Sequence, residues 1–217
     1  MSDHLEVPED YFSLYQARGQ ECREMDSRPA FTGDVFKDVN GDSWAIVQHP
    51  CTFSNASDQL LVAKVEEGAL PNSHQWRDSS KRMYLPEVEE ANLIIRFDAL
   101  MVKSTKAIDL SARTVILSNF GVNLLLQRWI HNNARVVVKT ATIHESTSDV
   151  FEETDMMFDA EQTFVEAGLD AGTGWDLVAK WLSSEKKKRR KELKDPQMRP
   201  KLRVELDALI EQHLHVK

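Results

Sequence analysis

The stretch TGDVFKDVNGDSWAIVQ, residues 32–48, decides the fold because it consists of two short apolar segments separated by a turn signal. Val35 and Phe36 belong to the first segment, and residues 44–48 form the second. Asn40 and Gly41 stand between them, and both residue types tolerate the positive φ angles that a tight hairpin turn needs. We therefore predict a β-hairpin here.

Similar short apolar segments continue along the chain. We predict further strands at residues 60–65, 83–86, 92–102 and 114–117, with residues 83–86 as an edge strand. Short strands that follow one another closely must satisfy their edges by closure or by stacking. The pattern favours a small β-barrel in a chain of the α+β class.

Helical periodicity dominates the rest of the sequence. Ser118 is a good N-cap for the clearest amphipathic helix, and Pro200 is suited to open the last one. Residues 145–155 resemble an acidic linker, and residues 136–143 fit either a strand or an extended helix. The predicted helices are residues 8–25, 119–134, 157–167, 173–196 and 200–214.

These segments predict three regions. Residues 1–31 form an N-terminal helix, residues 32–145 a barrel with its closing helix, and residues 146–217 a helical extension. The 217 residues are 41% hydrophobic, which is enough for a core. No apolar run approaches the length of a membrane span, so we expect no membrane partner. Two cysteines and the lack of a secretion signal favour the cytoplasm.

Charge is distributed unevenly. The chain carries −8 overall, yet residues 180–203 contain eleven basic residues against three acidic ones. Six consecutive cations form the centre of that segment: Lys186, Lys187, Lys188, Arg189, Arg190 and Lys191. Such a run neutralises phosphates when it binds nucleic acid, and it is equally compatible with a solvated helix face or with pairing to the acidic body.

The order of several motifs resembles that of PemK/MazF-like toxins. These are Gly33-Asp34-Val35-Phe36, the Asn40-Gly41 turn, the Trp44-Ala45-Ile46-Val47 strand, the segment Gln48-His49-Pro50-Cys51, the strand Phe97-Asp98-Ala99-Leu100-Met101-Val102 and the helix start at Ser118. The resemblance covers residues 32–133 and extends to uncharacterised bacterial relatives of this barrel. It implies an SH3-like barrel and a place in a bacterial or phage-linked defence or toxin–antitoxin system.

The resemblance also implies where chemistry would lie. Such toxins cut RNA with an arginine near the start of the second strand and a serine or threonine on the third. The matching stretches here are residues 41–43 and 63–66, and neither carries that pair. Lys64 offers a charge and Ser43 a hydroxyl, but in exchanged places.

Other candidate residues follow from local chemistry. Cys51 lies two residues from His49, so a thiol with a neighbouring base is one interpretation and a small buried core cysteine is the other. Trp76 follows polar residues and precedes Arg77, and we expect it to be exposed as part of a contact surface. His213 and His215 point apart on a helix, so we expect no metal site and no cofactor.

The sequence thus favours a non-catalytic interaction module that binds a partner protein or nucleic acid, through Trp76, Arg77 and the six cations. A homodimer is compatible with this interpretation. The alternatives are an endoribonuclease of the PemK/MazF type with a displaced active site, and an enzyme that depends on Cys51. The catalytic candidates are His49, Cys51 and Lys64.

Overall fold

The computed structural model describes residues 4–50, 58–78, 80–184 and 188–215. The chain divides into two compact units. The barrel unit comprises Met1–Asp26 and Ala30–Ser146, and the helical unit comprises Ser27–Pro29 and Thr147–Lys217.

Seven antiparallel strands of the barrel unit form a nearly closed barrel. They are β1 (Tyr15–Arg18), β2 (Val35–Lys37), β3 (Ser43–Ile46), β4 (Gln59–Glu67), β5 (Arg82–Val88), β6 (Ala91–Ser104) and β7 (Arg113–Leu117). The order in the sheet is β1-β7-β2-β3-β4-β6-β5, so that β1 and β5 are the two edges. The predicted α+β class, a small barrel with helices, is confirmed.

The β2–β3 hairpin forms around the predicted turn. Val35 pairs with Ala45 and Phe36 with Trp44, which places both aromatic side chains on one face. Gly41 has a φ of 82°, a conformation that side chains with a Cβ rarely adopt. The Asp38 carboxylate accepts hydrogen bonds from the backbone of the turn, and its Oδ2 also accepts from Trp44 Nε1 and Lys103 Nζ, both at 3.0 Å.

The edges of the barrel are joined by side chains. The Tyr15 hydroxyl of β1 donates to the carbonyl oxygen of Pro86 at 2.6 Å, and Arg18 Nη1 donates to that of Glu87 at 2.6 Å. Burial raises the pKa of the Tyr15 phenol above its ordinary value, so the hydroxyl keeps its proton. These side-chain bonds join β1 to β5, as backbone hydrogen bonds join neighbouring strands elsewhere in the sheet.

Apolar residues pack on both faces of the sheet, and one ion pair is buried with them. The face that bears Val35, Ala45 and Ala63 is fully buried. A cluster on the opposite face, which also carries Lys64 and Lys103, consists of Phe36, Trp44, Ile46, Leu60 and Val62. Arg113 Nη1 lies 3.3 Å from Asp34 Oδ2, and both side chains are almost fully buried. The aspartate that follows Gly33 is therefore held in the interior by a partner on β7.

The N-terminal segment differs from the prediction of one helix over residues 8–25. It forms a 3-10 helix at Phe12–Leu14, then β1, then a second 3-10 helix at Gly19–Met25. Ala17 and Cys22 pack against Ile116 of β7, and this tertiary contact outweighs the local helical spacing. The prediction missed β1 for this reason.

Two helices complete the barrel unit up to residue 134: α1 (Ser73–Asp78) and α2 (Asn119–Ala134). The α2 prediction is confirmed, since Ser118 Oγ accepts a hydrogen bond from Gly121 N at 3.1 Å as an N-cap. The connection between β4 and β5 contains the short helix α1.

The next helices are α3 (Thr140–Glu166), α4 (Thr173–Leu182), α5 (Arg189–Glu192) and α6 (Arg199–His215). The acidic stretch at residues 145–155, expected to be a linker, is part of α3. The helix predicted for residues 173–196 ends at Leu182. The last helix is confirmed, with Leu202, Leu206 and Ile210 buried in the core of the helical unit.

A buried carboxylate fixes the start of α4. Glu161 of α3 is 1% exposed and accepts hydrogen bonds from Gly172 N and, at 2.9 Å, from Gly174 N. A carboxylate at a helix N-terminus satisfies donors that have no partner within the helix. A Cβ at Gly174 would lie 2.5 Å from the Glu161 backbone nitrogen, so this approach of α3 to α4 needs glycine.

The bonds of Asp38 make barrel stability dependent on pH. Lys103, followed by the backbone of Asn40 and the Trp44 indole, holds the pKa of Asp38 below its ordinary value of 3.8. A lowered folded-state pKa contributes stability above pH 3.8 that is lost as the pH falls through the folded-state pKa. We expect Asp38→Asn to lower the melting temperature at pH 7 and to differ less from the parent at about pH 2.5 than at pH 7.

Circular dichroism melts at both pH values check this expectation. Asp26→Asn is the control, because Asp26 is exposed and makes no side-chain hydrogen bond to another described residue. Equal melting temperatures for Asp38→Asn and the parent protein at pH 7 would contradict the role assigned to Asp38.

Candidate functional site at the barrel mouth

Polar residues collect at one end of the barrel. The ends of β2, β4 and β5 lie there beside the starts of β3, β6 and β7, since neighbouring strands run antiparallel. Three adjoining cavities of about 630, 290 and 210 Å³ open at this end, which we call the mouth. Its polar lining residues are Gln20, Arg23, Lys37, Asp42, Ser43, Glu66, Glu67, Glu89, Glu90, Ser111, Arg113 and Thr114.

Glu89 lines all three cavities. It lies in the tight turn between β5 and β6, where its φ of 55° is in the left-handed region. Its side chain lies directly over Gly19, because a Cβ at Gly19 would be 2.5 Å from Glu89 Cγ. Gly19 itself has a φ of 57°, so glycine is required there by conformation and by space. The turn thus brings a carboxylate to the centre of the mouth.

The mouth is predominantly acidic. Its lining contains five carboxylates and three basic residues, one of which, Arg113, is held in the buried pair with Asp34. Two of the carboxylates have cationic neighbours: Asp42 lies 3.9 Å from Lys64 Nζ, and Glu66 lies 2.7 Å from Arg96 Nη1.

Three carboxylates of the mouth are available to a ligand. The side chains of Glu67, Glu89 and Glu90 make no hydrogen bond or ion pair with any residue in the described part of the chain. All three are exposed to solvent. Arg23 and Lys37 are the exposed cations of the same lining, so the field of the mouth attracts positive charge.

The structure brings together the two stretches that the toxin resemblance singles out. Ser43 pairs with Val65 and Trp44 with Lys64 across β3 and β4. Ser43 lines the mouth, whereas Lys64 is not among the lining residues and its amino group is near Asp42. The mouth-lining residues that the structure describes include no histidine and no cysteine.

The thiol hypothesis stays a prediction. Cys51 lies outside the described residues. His49 precedes it at the far end of the β3 segment and does not line the mouth. Burial lowers the pKa of His49 below its ordinary value of 6.5, which favours the neutral imidazole.

The expectation that Trp76 is exposed is wrong. Its side chain is 1% exposed and lies in an aromatic cluster, with ring centroids 6.3 Å from Tyr11 and 5.6 Å from Tyr84. The indole therefore belongs to the core of the barrel unit. Arg77, its neighbour on α1, is exposed, and its role in binding stays a prediction.

Arg128 of α2 is a charged residue in the interior of the barrel unit. It is fully buried, with its guanidinium 4.9 Å from the centre of the Trp76 ring. Nη2 donates to the carbonyl oxygens of Glu6 at 2.9 Å and Trp76 at 3.0 Å. Burial lowers the pKa of Arg128 to about 10, so it remains charged at neutral pH. It ties the N-terminal segment and α1 to α2.

The basic run is divided between solvent and interior. Lys186 and Lys187 lie outside the described residues, and Lys188 and Lys191 are exposed. Arg189 is 7% exposed, its guanidinium lies 4.4 Å from the centre of the Trp181 ring, and its Nη1 donates to the Trp181 carbonyl oxygen at 2.8 Å.

Its neighbour Arg190 is also engaged within the helical unit. Arg190 Nη2 donates to Glu153 Oε1 at 2.7 Å. Two of the six cations thus hold the helical unit together, which leaves Lys188 and Lys191 as the described cations of the run that are free to meet an outside partner.

Among the residues that the structure describes, no helix combines the length and apolar character that crossing a bilayer requires. Within the same ranges, no group of three or more His, Cys, Asp or Glu residues is arranged to hold a metal ion.

The division of the basic run predicts unequal effects of substitution. Arg189→Ala removes a buried hydrogen bond and a cation–π contact, so we expect the free energy of unfolding to fall by about 2 kcal/mol. Lys191→Ala, at an exposed neighbour in the same run, should change it by less than about 0.5 kcal/mol. Urea unfolding followed by circular dichroism measures both values, and equal effects would contradict the structural role of Arg189.

Comparison with known protein families matches no family model, and comparison with curated protein sequences finds no significant match.

Proposed function

We propose that this chain is a non-catalytic interaction module whose barrel mouth binds a positively charged segment of a partner protein. The observation that carries the proposal is the set of three carboxylates, Glu67, Glu89 and Glu90, which line adjoining cavities without partners among the described residues.

Lysine and arginine side chains suit this lining. Each can place its cation beside a carboxylate while its aliphatic stem contacts apolar groups such as Val88 and Ala91, which line the same cavities. The charge-assisted hydrogen bonds that result are stronger than those between neutral groups. An extended cationic peptide can span adjoining cavities, whereas a single ion would occupy a fraction of them.

The same charges disfavour nucleic acid at the mouth. Three carboxylates of the lining have no cationic neighbour among the described residues and repel phosphates, and the two exposed cations Arg23 and Lys37 do not fully offset them. Binding of nucleic acid elsewhere would fall to the exposed cations Lys188 and Lys191 with Lys186 and Lys187. A partner protein is therefore the ligand class that the barrel supports best.

We also propose that this barrel is related to the barrel of PemK/MazF-like toxins. This kinship is supported by the hairpin at the Asn40-Gly41 turn, by the seven-stranded barrel and by the helix that begins after Ser118. A place in a bacterial or phage-linked defence or toxin–antitoxin system follows from that kinship, in which the partner of the mouth would be another protein of the same system.

One observation favours a second candidate function, an endoribonuclease with a displaced site. Lys37, Ser43 and Thr114 line the same 210 Å³ cavity, so a cation and two hydroxyls are available together. The neighbouring carboxylates Asp42, Glu66 and Glu67 line it as well and oppose the approach of a phosphate.

The two candidates predict opposite results with RNA. If the chain is an interaction module, incubation with end-labelled RNA in the absence of metal leaves the RNA intact, and expression does not arrest growth. We expect this result because the acidic mouth repels the RNA backbone. Cleavage that is lost in Ser43→Ala or Lys37→Ala, and retained in Lys64→Ala, would instead establish the displaced ribonuclease.

Neutralising the three carboxylates tests the interaction module itself. The probe is a fluorescent oligolysine peptide, and its binding is measured by anisotropy at low and high salt. We expect the triple variant Glu67→Gln, Glu89→Gln, Glu90→Gln to weaken binding at least about tenfold, because three favourable charge contacts are lost. Binding to the parent protein should weaken as salt rises.

A matched control separates the mouth from the overall negative charge. The variant Glu166→Gln, Glu192→Gln, Glu211→Gln changes the net charge equally, at exposed helical residues outside the mouth. Binding should be close to that of the parent protein. Equal losses in the two triple variants would mean that the peptide follows net charge alone, and the mouth would then not be the site.

A further inference from the structure

The second half of β6 has an open edge. The β5–β6 ladder begins where Val88 pairs with Ala91 and ends where Arg82 pairs with Arg96. On the other side of β6, pairing with β4 continues from Leu100 to Ser104. Beyond Arg96, β6 therefore has β4 on one side and no strand of the described chain on the other. Open edges of this kind carry backbone groups that another strand can bond.

The backbone of Leu100 and Val102 is directed to that open edge. The backbone N–H and C=O groups of Leu61 on β4 are directed toward β3. The N–H donates to Gln48 Oε1, and the carbonyl oxygen accepts from Val47 N. The partner of Leu61 on β6 is Val102, and the two residues consequently exchange no hydrogen bonds. By the alternation of an antiparallel ladder, Val102 and Leu100 present their N–H and C=O groups outward.

The side chains along this edge are apolar and exposed. Leu100, Met101 and Val102 expose 41%, 47% and 57% of their surface. Edge strands are usually protected by charges, especially lysine. The lysine available here, Lys103, is turned back onto the barrel, where it donates to Asp38 at 3.0 Å and lies 4.4 Å from the centre of the Trp44 ring. It does not protect the edge.

We propose that this edge pairs with the same edge of a second copy of the chain, in an antiparallel register centred on Met101. Leu100 of each copy then lies opposite Val102 of the other. The outward N–H and C=O groups of these residues meet across the interface and form four backbone hydrogen bonds. The Leu100 and Val102 side chains of both copies share one face, and the Met101 side chains meet on the other.

A second copy fits this edge because the edge is complementary to itself. The outward backbone groups are symmetric about Met101, as an isologous two-fold interface requires. The three residues at the centre of this register, Leu100, Met101 and Val102, are uncharged, so that no like charges face each other there in a chain of net charge −8. This inference is independent of the ligand that the mouth binds.

Sedimentation of the full chain tests the dimer. We expect a dimer at micromolar concentrations, and at least about tenfold weaker association for Val102→Lys, which places a charge in the interface. Val204→Lys is the matched control, because Val204 is 68% exposed on α6, and it should associate like the parent protein. Circular dichroism shows whether each variant is folded.

Cross-linking tests the register without a disruptive substitution. Met101 of one copy would face Met101 of the other as a pair without hydrogen bonds, with Cα atoms about 4.5 Å apart, a distance that a disulfide spans. In a Cys51→Ser background, Met101→Cys should therefore form a disulfide-linked dimer rapidly when copper phenanthroline is the oxidant. Cys22 remains in this background because it is buried, and burial raises the pKa of its thiol to about 11.

Leu100→Cys is the control for register, since Leu100 would lie opposite Val102 and not opposite itself. It should cross-link at least about tenfold more slowly. A chain that stays monomeric at about 100 µM would overturn the proposal and leave the edge to a strand of another protein. Cross-linking that is faster for Leu100→Cys, or a dimer unaffected by a folded Val102→Lys variant, would overturn it equally.

Discussion

Hydrogen bonds from Tyr15 and Arg18 to the backbone carbonyls of Pro86 and Glu87 hold the two edges of the barrel together. An open seven-stranded sheet would leave both edges to solvent, and β1, with four residues, is too short to secure the edge by itself. Closure at this seam gives the sheet an interior. The buried face that includes Val35, Ala45 and Ala63 depends on this closure, since these side chains lie on one side of the sheet.

The mouth is a consequence of the same seam. Where β5 meets the N-terminal segment, the β5–β6 turn has to pass close to Gly19, and the lack of a Cβ there lets Glu89 lie over it. Two residues with positive φ, Glu87 and Glu89, bend the chain at this point. Carboxylates are thereby placed at the rim, where they are exposed to solvent and the interior behind them is apolar. A predominantly acidic surface results from how the barrel closes.

Local sequence was sufficient where local forces decide. The Asn40-Gly41 turn, the Ser118 cap and Pro200 predict a hairpin and two helices that are present. Six of the seven strands lie where the short apolar segments placed them. Tertiary contacts decided the rest: β1 exists because β7 pairs with it, and Trp76 is buried because Arg128 and two tyrosines surround it. The mouth combines residues from distant segments, so the acidic run at residues 87–90 was its one sequence signal.

Strand length explains why the barrel closes between β1 and β5 but leaves one edge of the second half of β6 open. β5 has seven residues and its partner β6 has fourteen, so half of β6 extends past the end of its outer neighbour. The inner neighbour β4 covers one side of that half, and nothing in the lengths of the described strands covers the other. A charged edge would be stable in water, but Lys103 is already used by Asp38 and the Trp44 ring. Because Lys103 bonds to Asp38 at the β2–β3 turn, the β6 edge remains apolar and open to another strand.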